Sequence, residues 1–120
     1  MVKISGKVIK GDSYGKKIGF PTLNLSRVNF FKLENKPAFG VYAGNVELLG
    51  KNYKAGIVIG PLDKKNLPKI EAHLIGYNGN AYGKTATFEI RKFIRKFKKF
   101  KSEEELIKQI KKDLKKLVPY

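Results

Sequence analysis

Residues that could bind a phosphate are concentrated in the stretch 11–24. Its glycines, Gly11, Gly15 and Gly19, recur at every fourth position, which permits positive φ and lets a ligand approach the main-chain N–H groups. Lys16 and Lys17 add mobile positive charge between them. The composition of this stretch therefore predicts a loop that binds phosphate.

The end of the same stretch carries oxygen donors for a hard cation. Pro21 fixes φ where the chain leaves the loop, and the Thr22 hydroxyl and the Asn24 amide follow it. Mg²⁺ prefers such oxygen ligands, so the predicted ligand is a nucleotide with its metal ion. A purely structural loop is the alternative, because glycines with a lysine also occur in ordinary hairpins and the spacing fits neither a Walker loop nor the dinucleotide fingerprint.

A second group of candidate residues lies at 70–74. The apolar residues at 70, 72 and 74 share one face of a predicted strand, and Glu71 and His73 share the other. Glu71 is the only acid between Asp63 and Glu89. In a chain with a net charge of +16 it should stay ionised and could take a proton from an attacking hydroxyl. A solvated or ion-paired strand residue is the simpler alternative for both side chains.

Short alternating segments predict a β-sheet that positions these residues. The predicted strands are 3–10, 41–49, 53–59, 69–77 and 85–94. Residues 25–39 show no clean period and are predicted to form an irregular loop that can move, while Asn78-Gly79 is the strongest turn signal. Closure removes the exposed edges of so small a sheet, so we expect a mainly β fold, a small closed antiparallel barrel.

One helix is predicted at the C-terminal end. Ser102 followed by three glutamates is a capping-box signature, so the helix should begin at Glu103. Five apolar residues then fall on one stripe: Leu106, Ile107, Ile110, Leu114 and Leu117. We expect this stripe to pack on the barrel, with the lysines facing water and Val118-Pro119 ending the helix.

Composition limits the class of protein. The 120 residues suit a single domain, 1–120, and the absence of cysteine excludes disulfides, thiolate metal sites and a cysteine nucleophile. No apolar run approaches a membrane span and the N-terminus has no signal-peptide core, so a cytoplasmic location is expected. The net charge of +16, half of it within 91–116, predicts attraction to polyanions.

Six sequence blocks occur together in order: 6–11, 15–24, 40–43, 70–73, 82–83 and 100–106. The most specific is Gly19-Phe-Pro-Thr-Leu-Asn24, and the second is the glutamate of Ile70-Glu-Ala-His73. With these blocks the chain resembles the riboflavin kinase family of the ATP-using bacterial and eukaryotic type, from residue 2 to about residue 117. The resemblance implies a six-stranded Greek-key barrel with a C-terminal helix, and transfer of the ATP γ-phosphate to the ribityl 5′-hydroxyl of riboflavin.

The same resemblance implies roles for individual residues. It makes Glu71 the catalytic base, and Thr22 and Asn24 the ligands of Mg²⁺ or another divalent cation. The residues it assigns to the nucleotide are Gly11, Tyr14, Gly15, Lys16, Lys17, Gly19, Pro21 and Thr22. Those it assigns to the flavin are Arg95, Phe100 and Leu106. Such an arrangement suits phosphoryl transfer, which depends on positioning and on neutralising phosphate charge.

Two stretches depart from the family pattern, both on the flavin side. Val58 stands where relatives usually carry a polar residue, and 96–99 is basic where they commonly carry an acid. Many bacterial relatives carry this domain behind one that adenylylates FMN, but nothing precedes Met1, so FMN is the expected product of a monomer. ATP is the expected donor through the resemblance alone, and CTP is the alternative.

A basic nucleic-acid-binding barrel is the competing interpretation. Its net charge would give steep salt dependence, and its tyrosines and phenylalanines could stack bases. Such a binder needs neither the Pro-Thr-x-Asn motif nor a lone acid near it, whereas a kinase needs both. The kinase is therefore favoured, and nucleic acid is not an expected partner.

Overall fold

The computed structural model describes residues 2–11 and 14–117, with positions 14 and 15 described for the backbone alone. Six strands form a closed antiparallel barrel in the order β1-β2-β5-β4-β3-β6. They are β1 (Val2–Ile9), β2 (Leu23–Leu25), β3 (Gly40–Leu48), β4 (Lys51–Leu62), β5 (Pro68–Leu74) and β6 (Thr85–Arg95). The short helix α1 (Tyr14–Lys17), a 3₁₀ helix (Val28–Lys32) and the C-terminal helix α2 (Glu103–Lys115) complete the chain. The predicted Greek-key barrel with a C-terminal helix is confirmed.

The barrel interior is filled by the inward-facing residues of all six strands. The largest of these with almost no exposed surface are Phe88, Ile4, Leu25, Leu48, Ile57, Ile59 and Ile70. β3 and β6 shift register between Ala43 and Gly44. A Cβ at Gly44 would overlap the carbonyl oxygen of Glu89, so only glycine allows this close approach of the two strands.

The strand that closes the barrel, β2, was missed by the sequence analysis. It pairs with β1 at Leu25 and with β5 at Leu23, so it joins the two halves of the sheet. Three residues are too short to show a period of two, which is why the pattern did not reveal it. The prediction of one irregular loop over 25–39 is also wrong in part, because Leu25 belongs to β2 and the 3₁₀ helix buries Phe30.

The other boundaries differ from the predictions by a few residues. β4 runs from Lys51 to Leu62, longer than predicted, and β5 ends at Leu74 rather than at 77. Asn78-Gly79 makes no hairpin, because β5 and β6 are not neighbours and 75–84 connects them across one end of the barrel.

The start of α2 agrees with its capping signature. The Ser102 side chain accepts a hydrogen bond from the backbone N–H of Glu105 at 3.2 Å, and the helix begins at Glu103. Its predicted end at Val118-Pro119 lies outside the described residues. No helix in the described part of the chain has the length and apolar character needed to cross a membrane.

Candidate functional site

The outward faces of β2 and β5 bring the predicted metal ligands next to the predicted base. Leu23 and Leu25 point into the core, so Thr22 and Asn24 lie on the outer surface. In β5 the alternation leaves Glu71 outside, directly opposite Asn24. The Thr22 hydroxyl donates a hydrogen bond to Glu71 Oε2 at 3.4 Å. Strand alternation thus places three hard oxygen donors on one patch.

A cavity of about 340 Å³, here called the apolar cavity, opens beside this patch. Its floor is the outer wall of the barrel, formed by Val41, Gly56, Val58, Glu71 and His73. Its opposite wall is α2, through Leu106, Ile110, Asp113 and Leu114, together with Leu117 just after the helix. Residues at the end of β6 and after it also line the cavity: Arg95, Phe97, Lys98 and Phe100. The apolar stripe of α2 faces the barrel as predicted, but much of it lines this cavity instead of packing directly on the strands.

A largely buried ion pair joins α2 to the end of β6. The Arg95 guanidinium binds both carboxylate oxygens of Asp113, with N–O distances of 3.0 to 3.1 Å, and Gln109 donates to the same carboxylate at 2.9 Å. The Arg95 Cζ also lies 5.8 Å from the centre of the Phe100 ring. Arg95 and Phe100, both predicted flavin residues, therefore form one wall of the cavity together with α2.

Asp113 is a residue that the sequence analysis missed. Among so many helix charges it was counted only as part of the charge balance. Its position carried a signal, because it follows Ile110 by three residues and adjoins Leu114, which places it on the apolar stripe. A lone acid on a buried helix stripe needs a cation, and Arg95 supplies it.

His73 fixes the segment that leads into the patch of Thr22, Asn24 and Glu71. Its Nδ1 lies 2.7 Å from the Pro21 carbonyl oxygen, and because a carbonyl only accepts, Nδ1 carries the proton and donates it. The Phe20 ring packs edge-on against the imidazole with the centroids 5.8 Å apart. His73 therefore holds Phe20 and Pro21 against β5, directly before Thr22.

The glycine-rich loop is only partly brought to the patch. A Cβ at Gly11 would overlap the Asn24 amide, so a larger residue here would displace the Asn24 side chain. Gly19 has φ of +90° and Lys16 and Lys17 are exposed. The backbone of Tyr14 and Gly15 lies in α1, but the predicted role of the Tyr14 side chain falls outside the described residues, as do positions 12 and 13.

Gly11 and Asn24 also line a second, larger cavity of about 750 Å³. We call it the lysine groove, because its cationic residues are Lys10, Arg27, Lys64, Lys65 and Lys69. The patch of Thr22, Asn24 and Glu71 thus lies between a mostly apolar cavity and a basic one.

The donors of the patch suit a hard cation that is not held by the protein alone. Thr22, Asn24 and Glu71 offer a hydroxyl, an amide and a carboxylate. Within the described ranges, no group of three or more His, Cys, Asp or Glu side chains could hold a metal ion. Mg²⁺ fits such a site, because it usually takes one or two protein ligands and completes its shell with water and a substrate phosphate.

Comparisons with known proteins agree with one family. The family model described as riboflavin kinase matches residues 1–119. The bifunctional riboflavin kinase/FMN adenylyltransferase of Bacillus subtilis is 36% identical over 122 residues, which cover 98% of this chain and 38% of that protein. The chain thus spans less than two fifths of that relative's length.

Two solved structures share the fold. A crystal structure described as a macrolide-efflux protein from Streptococcus pneumoniae has a TM-score of 0.83 and 28% identity, covering 98% of this chain and 38% of its own. The riboflavin kinase of Trypanosoma brucei has a TM-score of 0.69 and 23% identity, covering 98% of this chain and 77% of its own. Both support the barrel with its C-terminal helix.

Proposed function

The chain belongs to the riboflavin kinase family, and from this premise we propose that it transfers the γ-phosphate of ATP to the ribityl 5′-hydroxyl of riboflavin, giving FMN and ADP. One observation carries the proposal: Glu71 lies opposite Asn24 and within hydrogen-bond reach of Thr22, at the edge of an apolar cavity. The tricyclic flavin ring needs such a cavity, and the hydroxyl of the ribityl chain attached to it needs a base at the cavity's edge.

Glu71 is the proposed base. Its carboxylate would accept the proton of the 5′-hydroxyl as the oxygen attacks the γ-phosphorus and the bond from phosphorus to the ADP oxygen breaks. The hydrogen bond from Thr22 orients the carboxylate, and His73 holds the chain that carries Thr22. Thr22 and Asn24 would hold Mg²⁺, which when bound neutralises phosphate charge.

The two ligands are proposed to approach the patch from different sides. Phe100 and Leu106 line the apolar cavity and are proposed to contact the flavin ring, while Arg95 holds the wall through Asp113. The nucleotide is proposed to lie against the loop 11–24, with its glycine N–H groups and the exposed Lys16 and Lys17 near the phosphates.

All of these residues belong to one chain, so we propose that a monomer is sufficient for activity. We also propose that the protein works in the cytoplasm, where ATP is supplied. The apolar cavity contains Val58, and Lys98 stands at its rim, so both departures from the family pattern are at the proposed flavin site. Nucleic-acid binding as the main function is not favoured.

The proposal is tested by incubating the protein with riboflavin, Mg²⁺ and either ATP or CTP, and separating the flavins by chromatography with fluorescence detection. We expect FMN with ATP and little with CTP. FMN formed with CTP alone would keep the reaction but replace the donor. If neither nucleotide gave FMN over a range of temperatures, the proposed activity would be wrong.

The hydrogen bond of His73 gives a second test. His73→Leu removes the donor and should lower kcat/KM for ATP by about tenfold, since one such bond contributes about 1 to 1.5 kcal/mol. His73→Asn keeps an N–H donor near the position of Nδ1 and should restore most of that loss. Steady-state kinetics with varied ATP, and riboflavin titration as a control, would measure both. Equal defects in the two variants would show that the ring's packing on Phe20 matters more than its hydrogen bond.

A further inference from the structure

The described lining of the lysine groove carries an excess of positive charge. Among the described residues that line it, five are cationic and Asp63 is the one acid. Arg27 donates to Asp63 Oδ2 at 2.9 Å, so one cation and the acid neutralise each other. Further positive charge comes from Lys10, Lys64 and Lys65, and an anionic ligand would be attracted to it.

Asp63 organises the turn that carries two of these lysines. Its Oδ1 accepts hydrogen bonds from the backbone N–H groups of Lys65 at 2.8 Å and Leu67 at 3.1 Å. Its own N–H donates to the Leu67 carbonyl, and Asn66 donates to its carbonyl. The backbone bond from Leu67 is the main reason that the pKa of Asp63 lies below its usual range.

A turn that is already ordered lowers the conformational-entropy cost of binding a ligand. The backbone of 63–67 is already ordered by these bonds, and the ion pair with Arg27 ties it to the chain after β2. Lys64 and Lys65 therefore project from a fixed base beside the groove. A ligand that binds them has only their side chains to immobilise.

The lining also indicates the class of anion. No aromatic side chain is among the described residues that line the groove, so a nucleobase has no ring on which to stack. Lysine ammonium groups act as point charges that suit compact phosphate groups. These features favour a chain of phosphates over a nucleic acid.

The groove reaches the proposed reaction site. Gly11 and Asn24 form part of its lining, and Asn24 lies opposite Glu71 on the neighbouring strand. Lys69 lines both this groove and the apolar cavity. A ligand in the groove can therefore place one end beside Asn24 while the rest extends toward Lys64 and Lys65.

From these observations we propose that the lysine groove binds an inorganic oligophosphate, with one terminal phosphate at Asn24 and the chain running to Lys64 and Lys65. The position of that terminal phosphate rests on the proposed kinase function. The binding of the oligophosphate to the groove does not.

Calorimetry with tripolyphosphate, at fixed free Mg²⁺, tests the binding in the full chain. Lys64→Glu/Lys65→Glu should raise the dissociation constant by about tenfold or more, because it reverses two groove charges. The control is Lys111→Glu/Lys112→Glu, which makes the same change in net charge on the exposed face of α2 and should shift the constant by less than about threefold. Lys64→Gln/Lys65→Gln removes the two charges without reversing them. It should give a smaller loss of tripolyphosphate affinity, and it serves as the check on whether charge reversal disturbs the turn.

Inhibition kinetics test whether the terminal phosphate of the oligophosphate lies at Asn24. Tripolyphosphate should inhibit FMN formation in competition with ATP, and Lys64→Glu/Lys65→Glu should raise its inhibition constant. No binding, or equal weakening in the groove and α2 variants, would overturn the groove site. Inhibition that is not competitive with ATP would overturn the placement at Asn24. If the unaltered protein makes no FMN, the kinase proposal fails, while calorimetry still decides whether the groove binds oligophosphate.

Discussion

Glu71→Gln should lower kcat for FMN formation by about 10²- to 10⁴-fold, the usual contribution of a general base. Glutamine keeps the size of the side chain and an oxygen that can accept the Thr22 hydrogen bond, but it cannot take a proton. The dissociation constant for riboflavin should therefore change by no more than about threefold. Single-turnover kinetics and flavin fluorescence titration would measure the two quantities separately.

The matched control for this change is Glu47→Gln. Glu47 is an exposed glutamate of β3, and it lines neither the apolar cavity nor the lysine groove. Its substitution should leave kcat within about twofold, as for most surface changes. If Glu71→Gln kept normal turnover, Glu71 would not be the base and its role would be to orient Thr22.

Asp113→Ala should destabilise the protein by about 3 kcal/mol, because it leaves the Arg95 guanidinium without its carboxylate in a poorly solvated site. It also frees Gln109, so the contact between α2 and β6 is lost together with one wall of the cavity. Urea unfolding would measure the stability, and riboflavin affinity below the transition should fall at least about tenfold.

Glu104→Ala is the control for this second prediction. Glu104 is an exposed acid in the first turn of α2, so its removal should cost no more than about 0.5 kcal/mol through the helix dipole. A loss in Asp113→Ala as small as this would mean that the ion pair with Arg95 is neutral in energy. Unchanged flavin binding would show that α2 keeps its position without it.

The sequence was most informative where a local pattern repeats. β3 to β6 are seven or more residues long, and α2 has both a cap and a stripe, so all five elements were predicted within a few residues. β2 escaped because three residues show no period and its role depends on pairing with strands distant in the chain. Strand order likewise comes from long-range pairing, which local signals such as Asn78-Gly79 do not contain.

The candidate site shows the same division. Residue types made Thr22, Asn24 and Glu71 candidates and the family resemblance gave each a role, while strand alternation explains why they share a surface. The partner of Arg95 was not predicted, because a contact between the end of one strand and the third turn of a helix leaves no signal in the spacing. The ordered turn at Asp63 was also missed, since it was treated only as a break between strands.

The shortness of β2 also affects how the protein should respond to heat. Two residue pairs join it to β1 and two join it to β5, whereas β3 and β4 pair at nine positions. Short pairings open at a lower free energy than long ones, so we expect this seam to separate before the rest of the barrel. Its opening moves Asn24 away from Glu71 while the remaining strands stay paired. Thermal inactivation would then precede global unfolding, and the upper working temperature would be set by the shortest strand of the barrel and not by its hydrophobic core.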